Sequence, residues 1–458
     1  MKNNSKFYKK FFFSLIIIFT SFILRTKSNS YSDTLEIVAQ FNITKVKTDK
    51  GVEECPNCMP AGIKISKNGT IICSFPRWFD GVLTTLAVYN KEEECFEPWP
   101  SLEINNNYLN SVLGFEIDSQ DSIYILDQGK VEGKHAEEGS IKLVKYSLSN
   151  NSRLREYIFS DEIADRDFSF LNDVVIDEKK NIAYISDSGI ANDGNISHYK
   201  PGIIVLDLND ESNVHRILTD HVSVFPDESF FLHIDGKPVN NETSPMMTGA
   251  DGIALSCDRE VLFYCPLTGR MIYSILTKDI DLAIKKGNTS DIKVYEGFKK
   301  EASDGLLASS KGNLYMTGIE TGSVYIAEEI EKDLLRFDYR DFDGYQGDNF
   351  SMWPDTLAIY DGYLYFVTNQ LNNFPNGIDY DNPKNGKYNF AILKFSVGND
   401  DSYIKGCSGL GANWGIGTII IWICFAVIIL IVLSFVLMGS NNQEEVIDKH
   451  MNLGVKED

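Results

Sequence analysis

Six short segments of the chain open on residues that could do chemistry together. They begin at Ala61-Gly-Ile-Lys-Ile, Leu113-Gly-Phe-Glu-Ile, Asn172-Asp-Val-Val-Ile, Asp251-Gly-Ile-Ala-Leu, Asp304-Gly-Leu-Leu-Ala and Asp355-Thr-Leu-Ala-Ile. One amide and three carboxylates therefore recur at the same place in a repeated layout. Hard oxygen ligands that converge on one point suit Ca2+ or Mg2+. They also suit a protonated amine, and one carboxyl among them could act as a base with a raised pKa. The competing reading is local: Asp-Gly is a turn signature, and its carboxylate can serve neighbouring backbone amides. Ala61 and Leu113 bring no ligand, so the polar part of the set is one-sided.

Other chemistry-bearing residues are less pointed. Asp127, Asp187, Ser188, Thr317, Thr368 and Asn369 form a second polar set, expected to satisfy loop backbone. Trp78, Phe115, Tyr264, Trp353 and Phe374 are candidates for an apolar channel wall, with core packing as the alternative. None of the 6 His sits in a catalytic motif, and no Gly-rich phosphate loop joins a strand to a helix. Cys55-x-x-Cys58 could be half a zinc or redox site, but no second pair stands at the needed spacing. Disulfides among Cys55, Cys58, Cys73 and Cys95 are the expectation, with the connectivity open.

The elements that would position these residues repeat along the chain. After each opening run comes a turn, as at Lys67-Asn-Gly or Asp361-Gly, then a run rich in Tyr, Ile and Val. The second runs are Thr70–Ser74, Ser122–Leu126, Ile182–Ser186, Val261–Cys265, Asn313–Thr317 and Tyr363–Thr368. Third strands are expected at Thr84–Tyr89, Ile141–Ser147, Gly202–Leu208, Met271–Leu276, Ser323–Ala327 and Phe390–Phe395. Hairpins repeating at roughly fifty residues, with no long amphipathic helix between them, predict an all-β six-bladed β-propeller. In that fold the first strand of each blade lines the central channel, so the six opening residues share one mouth. A strand over Leu35–Thr44 is expected to complete the last blade. The connections Asn209–Gly249 and Glu331–Trp353 are the long ones, where binding is usually placed.

The ends read differently from the body. Residues 1–30 have the layout of a signal peptide: basic Lys2 to Lys10, apolar Phe11 to Leu24, then a polar exit. The propeller is expected over 31–400, a juxtamembrane linker over 401–416, a transmembrane helix over 417–438 and a cytoplasmic tail over 439–458. This predicts a single-pass protein of the secretory pathway with its propeller outside the cytoplasm. Asn42, Asn68, Asn150, Asn195, Asn241, Asn288 and Asn349 each begin an Asn-x-Ser/Thr glycosylation triplet. A formal charge of −22 repels phosphate backbones and argues against nucleic acid as a partner.

Several phrases resemble the major royal jelly protein/yellow family. They are Ser74-Phe-Pro-Arg-Trp with Thr84-Thr-Leu-Ala-Val, and Leu171-Asn-Asp-Val-Val-Ile-Asp with Ala183-Tyr-Ile-Ser-Asp-Ser-Gly. Asp251-Gly-Ile-Ala-Leu-Ser with Phe263-Tyr-Cys-Pro-Leu-Thr-Gly-Arg is a third, and Trp353-Pro-Asp-Thr with Tyr363-Leu-Tyr-Phe-Val-Thr-Asn-Gln-Leu a fourth. The resemblance runs over roughly Leu35 to Val397. It implies a six-bladed propeller, usually secreted, in a family of food, pigmentation and amine-binding proteins, some reported to convert dopachrome. By that resemblance Thr356, Asn369 and Phe374 join Asn172, Asp251, Asp304 and Asp355 as ligand-binding candidates. Gluconolactonase-type propellers are similar at lower specificity. They imply Asn172 and Asp251 as metal ligands, with Ala61 standing where an acidic ligand is needed. The expected function is a membrane-tethered propeller that binds a small cationic or aromatic ligand in its channel. A metal-dependent lactonase or hydrolase, a dopachrome-converting enzyme and a protein-interaction propeller are the alternatives.

Overall fold

Short runs of β-branched and aromatic residues, broken by Gly, Asn and Asp turns, build strands and hairpins rather than helices. The computed structural model describes residues 35–190, 198–234, 236–241, 244–327, 334–338, 353–373 and 388–408. Among the described residues, beside two two-stranded sheets in the Asn209–Gly249 connection, six sheets of four or six strands result, each one blade. Their innermost strands are Ile63–Ile65, Val112–Ile117, Leu171–Asp177, Ala250–Leu255, Leu306–Ala308 and Trp353–Tyr360. Each inner strand touches the next, and Trp353–Tyr360 returns to Ile63–Ile65, so the ring is closed. We number the blades 1 to 6 in that order.

The closure of blade 6 comes from the opposite end of the chain. Leu35–Phe41 pairs antiparallel with Phe390–Ser396, Leu35 opposite Phe395 and Phe41 opposite Phe390. The expected closing strand is thus shorter than Leu35–Thr44. Thr44–Thr48 starts a hairpin that widens blade 1 instead. Two elements within the connections differ from expectation as well. Leu334–Asp338, inside the long Glu331–Trp353 connection, is the outer strand of blade 5. A helix, Thr277–Lys286, leads to the outer strand of blade 4, Val294–Lys299. It buries Thr277, Ile280 and Ala283 on one face and stops at Gly287, whose φ of 64° suits a residue without a Cβ.

Val112–Ile117, Leu171–Asp177 and Ala250–Leu255 are buried along their whole length, as strands enclosed on both faces must be. The inner strands also pack very closely. A Cβ on Gly252 would lie 2.5 Å from the Asp304 carbonyl oxygen, and one on Gly305 2.5 Å from that of Asp355. This corrects the turn reading of the Asp-Gly pair at Asp251. Gly252 lies inside a strand, and its missing side chain lets the next blade approach. Between blades, apolar faces meet. Phe366, Phe395, Leu393 and Tyr315, all fully buried, knit blades 5 and 6, each such side chain contributing roughly 1.5–3 kcal/mol.

Cys55 and Cys58 form a disulfide, while Cys73, Cys95 and Cys265 are buried free thiols. Cys257 and Cys407 are also disulfide-bonded. Residues 401–405, read from the sequence as the start of a linker, pack within the propeller unit, which ends at Gly406. Among the described residues no helix is long and apolar enough to cross a membrane. The expected signal peptide 1–30, span 417–438 and tail 439–458 lie outside the described residues, as do Asn195 and Asn349.

Candidate functional site

The opening residues of blades 2 to 6 do meet. Leu113, Asn172, Asp251, Asp304 and Asp355 all line one cavity of about 1110 Å³. The inner strands carry them there because each blade starts its first strand at the same mouth. The cavity wall is apolar and aromatic. Trp78 stacks on Phe170 with ring centroids 6.3 Å apart, and Phe225, Met246 and Met247 come from the Asn209–Gly249 connection. That long connection therefore builds part of the cavity, as its length suggested.

The three carboxylates at this mouth are held in one manner. Each receives a short hydrogen bond on Oδ2 from a neutral donor. Asn172 Nδ2 donates to Asp251 at 2.7 Å, Trp353 Nε1 to Asp304 at 2.6 Å and Asn369 Nδ2 to Asp355 at 2.7 Å. Among the described residues no lysine or arginine bonds to them. The nearby cations are spent elsewhere: Lys300 Nζ donates to the carbonyls of Pro266, Gly269 and Glu301, and Arg270 pairs with Glu320. Among the described residues no donor reaches the buried Asp251 Oδ1.

Buried acids without a counter-cation resist ionising. Burial pushes Asp251 well above the usual carboxylate range, and the neighbouring Asp304 charge adds to it. Burial also raises Asp304, although the Trp353 and Asp251 hydrogen bonds pull it back. Two buried carboxyls this close disfavour a second negative charge, so the pair resists ionising together. Asp355 is pushed up by burial and by Asp304, with Asn369 and Thr356 opposing.

The remaining candidates fall around this core. Asn369 is fully buried and ties Asp355 to the Pro60 carbonyl of blade 1, donating to the latter at 3.0 Å. It positions a carboxylate rather than lining the cavity. Thr356 Oγ1 donates to Asp355 Oδ1 at 3.1 Å and likewise lies behind the cavity surface. Phe374 lies outside the described residues. In the second polar set, Asp127 and Asp187 serve loop amides as expected, accepting from Ser111 and Phe170 among others. Ser188 does more, donating to the Ala250 carbonyl and receiving the Asn172 amide. Thr317 accepts the Asp304 and Gly305 amides.

Sequence reasoning missed two features. Trp353, a candidate for channel wall or core, grips Asp304 with its indole N–H, and Trp preceding Pro-Asp carries no sign of that. It also missed a buried charge group farther down the channel: Lys64, Glu116 and Asp173. Lys64 Nζ meets Glu116 Oε2 at 3.3 Å. Burial lifts Asp173 to about 6, with Lys64 opposing. The signal was present as a polar residue inside each inner strand, Lys64 in Ile63–Ile65 and Glu116 in Val112–Ile117.

Asn172 and Asp251, expected as metal ligands from the gluconolactonase resemblance, stand side by side at the cavity. They are in direct hydrogen-bond contact, with the amide N–H directed at the carboxylate. A Ca2+ or Mg2+ ion needs six or more oxygens around it. Among the described residues no group of three or more His, Cys, Asp or Glu is arranged to hold a metal.

Comparison with known proteins places these observations in context. The family model for major royal jelly protein matches residues 110–403. No curated protein matches the sequence. Among solved structures, luciferin-regenerating enzyme is similar at 11% identity and a TM-score of 0.45, over 82% of this chain and 95% of that one. A calcium-binding protein, regucalcin, from Agrobacterium tumefaciens is similar at 10% identity and a TM-score of 0.45, over 80% and 99%. A gluconolactonase from Xanthomonas campestris follows at 10% and 0.45, over 79% and 88%. Likenesses of that order carry no argument about ligand or reaction.

Proposed function

The chain belongs to the major royal jelly protein family, and on that premise we propose that its propeller binds a small organic cation, a protonated amine on an aromatic or apolar frame. The carrying observation is the charge deficit at the cavity: three buried carboxylates, each held only by a neutral donor. An ammonium group placed beside Asp251 would supply the missing positive charge and a donor for the unpartnered Asp251 Oδ1. Trp78, Phe170 and Phe225 offer flat apolar surface to the rest of the ligand.

Titration calorimetry of the full-length chain tests the reading, with tyramine as probe and phenylpropionate as its anionic counterpart. Tyramine binds and phenylpropionate does not. Asp251→Ala and Asn369→Ala each weaken tyramine by about tenfold or more. Absence of tyramine binding, or equal binding in both variants, overturns the proposal.

The setting we propose is the secretory pathway, with the propeller outside the cytoplasm and the apolar run 417–438 as its tether. The Cys55–Cys58 disulfide supports an oxidising compartment. The exposed triplet residues Asn42, Asn68, Asn150 and Asn288 are accessible to glycan transfer. Loss of mass on N-glycosidase treatment and resistance to alkaline extraction from membranes are the expected results. A chain without glycans that washes off membranes overturns this part.

A further inference from the structure

The chain passes from blade 6 to blade 1 through Asn42 and Ile43, which join the strands Leu35–Phe41 and Thr44–Thr48. A groove of about 420 Å³ opens at this corner. Its apolar lining includes Ile37, Tyr89 and Phe96, with Lys45 and Glu54 beside them. Phe96 is 1% exposed, Tyr89 is half-buried and Ile37 is 46% exposed. The groove runs along Leu35–Phe41, the edge strand of blade 6 among the described residues. Such an edge is a template for pairing with other chains unless something covers it. Asn42 itself lines the groove.

Asn42 opens an Asn-Ile-Thr triplet, and its geometry sets it apart from three others. At Asn68, Asn150 and Asn288 the triplet folds on itself at the surface. Thr70 Oγ1 donates to Asn68 Oδ1 at 2.8 Å, Ser152 Oγ to Asn150 Oδ1 at 2.7 Å and Ser290 Oγ to Asn288 Oδ1 at 2.6 Å. In the Asn42 triplet the two side chains part. The Asn42 backbone is fixed by its carbonyl, which accepts from Asn389 Nδ2 at 2.9 Å, while the residue stays exposed at the groove. Thr44 is fully buried, and its hydroxyl donates to the Cys58 carbonyl at 2.5 Å. That hydroxyl is part of the signal that glycan transfer reads. Burial puts it out of reach, so transfer to Asn42 has to precede closure of the hairpin Thr44–Thr48 with Gly51–Cys55.

We propose that an N-linked glycan on Asn42 is laid into this groove as the ring closes, packed on Tyr89 and Ile37 and covering the edge of Leu35–Phe41. The inference rests on the secretory reading of the chain and not on what the channel binds. The donor is a lipid-linked pyrophosphate oligosaccharide. An N–C bond forms from Asn42 Nδ2 to its anomeric carbon, the C–O bond to the pyrophosphate breaks, and one amide proton is released. A sugar suits the site, because its C–H faces match aromatic and aliphatic surface and Lys45 and Glu54 offer partners to its hydroxyls.

Site-by-site mass spectrometry of the full-length chain, made in secreting cells and treated with N-glycosidase in its native state, tests the proposal. Asn42 carries sugar and loses it at least about tenfold more slowly than Asn68, Asn150 and Asn288, and denaturation abolishes the difference. Tyr89→Ala and Ile37→Glu each bring the Asn42 rate to within about threefold of the other three, whose own rates do not move. Should Tyr89→Ala not fold, the Ile37→Glu chain decides, since Ile37 is 46% exposed. An empty Asn42 beside three occupied sites, equally fast release from all four, or slow release that the groove variants leave unchanged overturns the proposal. Sugar at none of the four overturns the secretory reading, and this inference with it.

Discussion

The two ends of the channel treat buried charge in opposite ways. At the far end Glu116 meets Lys64 at 3.3 Å, and Arg259 covers Tyr403. At the cavity end Asp251, Asp304 and Asp355 have only neutral donors on Oδ2. Both sets are buried on neighbouring inner strands of one ring. At Glu116 this molecule provides a cation, Lys64. Where it provides none, the balancing charge must come from a proton or from a ligand. The proposed ligand therefore belongs at the cavity end, where its charge would be the balancing one.

The comparison breaks most visibly at Glu116. Glu116→Ala leaves Lys64 buried without its closest anion, and the expected loss of stability is about 3 kcal/mol by denaturant titration, near the low end for broken buried pairs because Asp173 remains. A loss below roughly 1 kcal/mol would mean that the far end is not held by charge pairing.

Asp173 sharpens the same point through pH. Its carboxyl moves from the usual value of 3.8 to about 6. Between these values the folded chain keeps a proton that the unfolded chain has released. Its stabilising share is whole below pH 3.8, is lost as pH rises through about 6, and amounts to at most about 3 kcal/mol. Thermal melts of Asp173→Asn at pH 5 and 7.5 are expected to lack that part of the decline. An unchanged pH profile rejects the assignment.

Tyr403→Phe keeps the ring under Arg259 but strands the Ile176 amide, for an expected loss of about 1–2 kcal/mol. The smallest stability effect belongs to the cavity. Asp304→Asn retains an acceptor for the Trp353 indole and removes a buried acid, so stability should stay within about 1 kcal/mol or rise. Tyramine affinity should nevertheless fall about tenfold or more. A large stability loss here would erase the contrast between the ends.

Much of the architecture was legible because its signals are local. Alternating apolar residues and turn pairs recur from Ala61 to Asp355, and a hairpin needs only its own residues to form. Even the shared mouth followed, since equivalent positions in repeated blades must face one centre. The helix Thr277–Lys286 escaped because a ten-residue amphipathic stretch between strands carries a weak periodic signal. The outer strand Leu334–Asp338 escaped inside a long connection for a similar reason: five residues hold little pattern.

What the sequence alone determined is the repeat, and with it the carboxylates placed at one mouth. What only the tertiary structure decided is who holds them. Trp353 reaches Asp304 across 49 residues, Asn369 reaches the Pro60 carbonyl across 309, and Tyr403 reaches Ile176 across 227. Strand period is set by nearest neighbours along the chain. A buried charge is set by everything within a few ångströms, and closing the ring chooses those neighbours from anywhere in the sequence. That is why Asp251 and Glu116 look alike as acidic residues in strands, yet one keeps a buried oxygen without a partner and the other is already paired with Lys64.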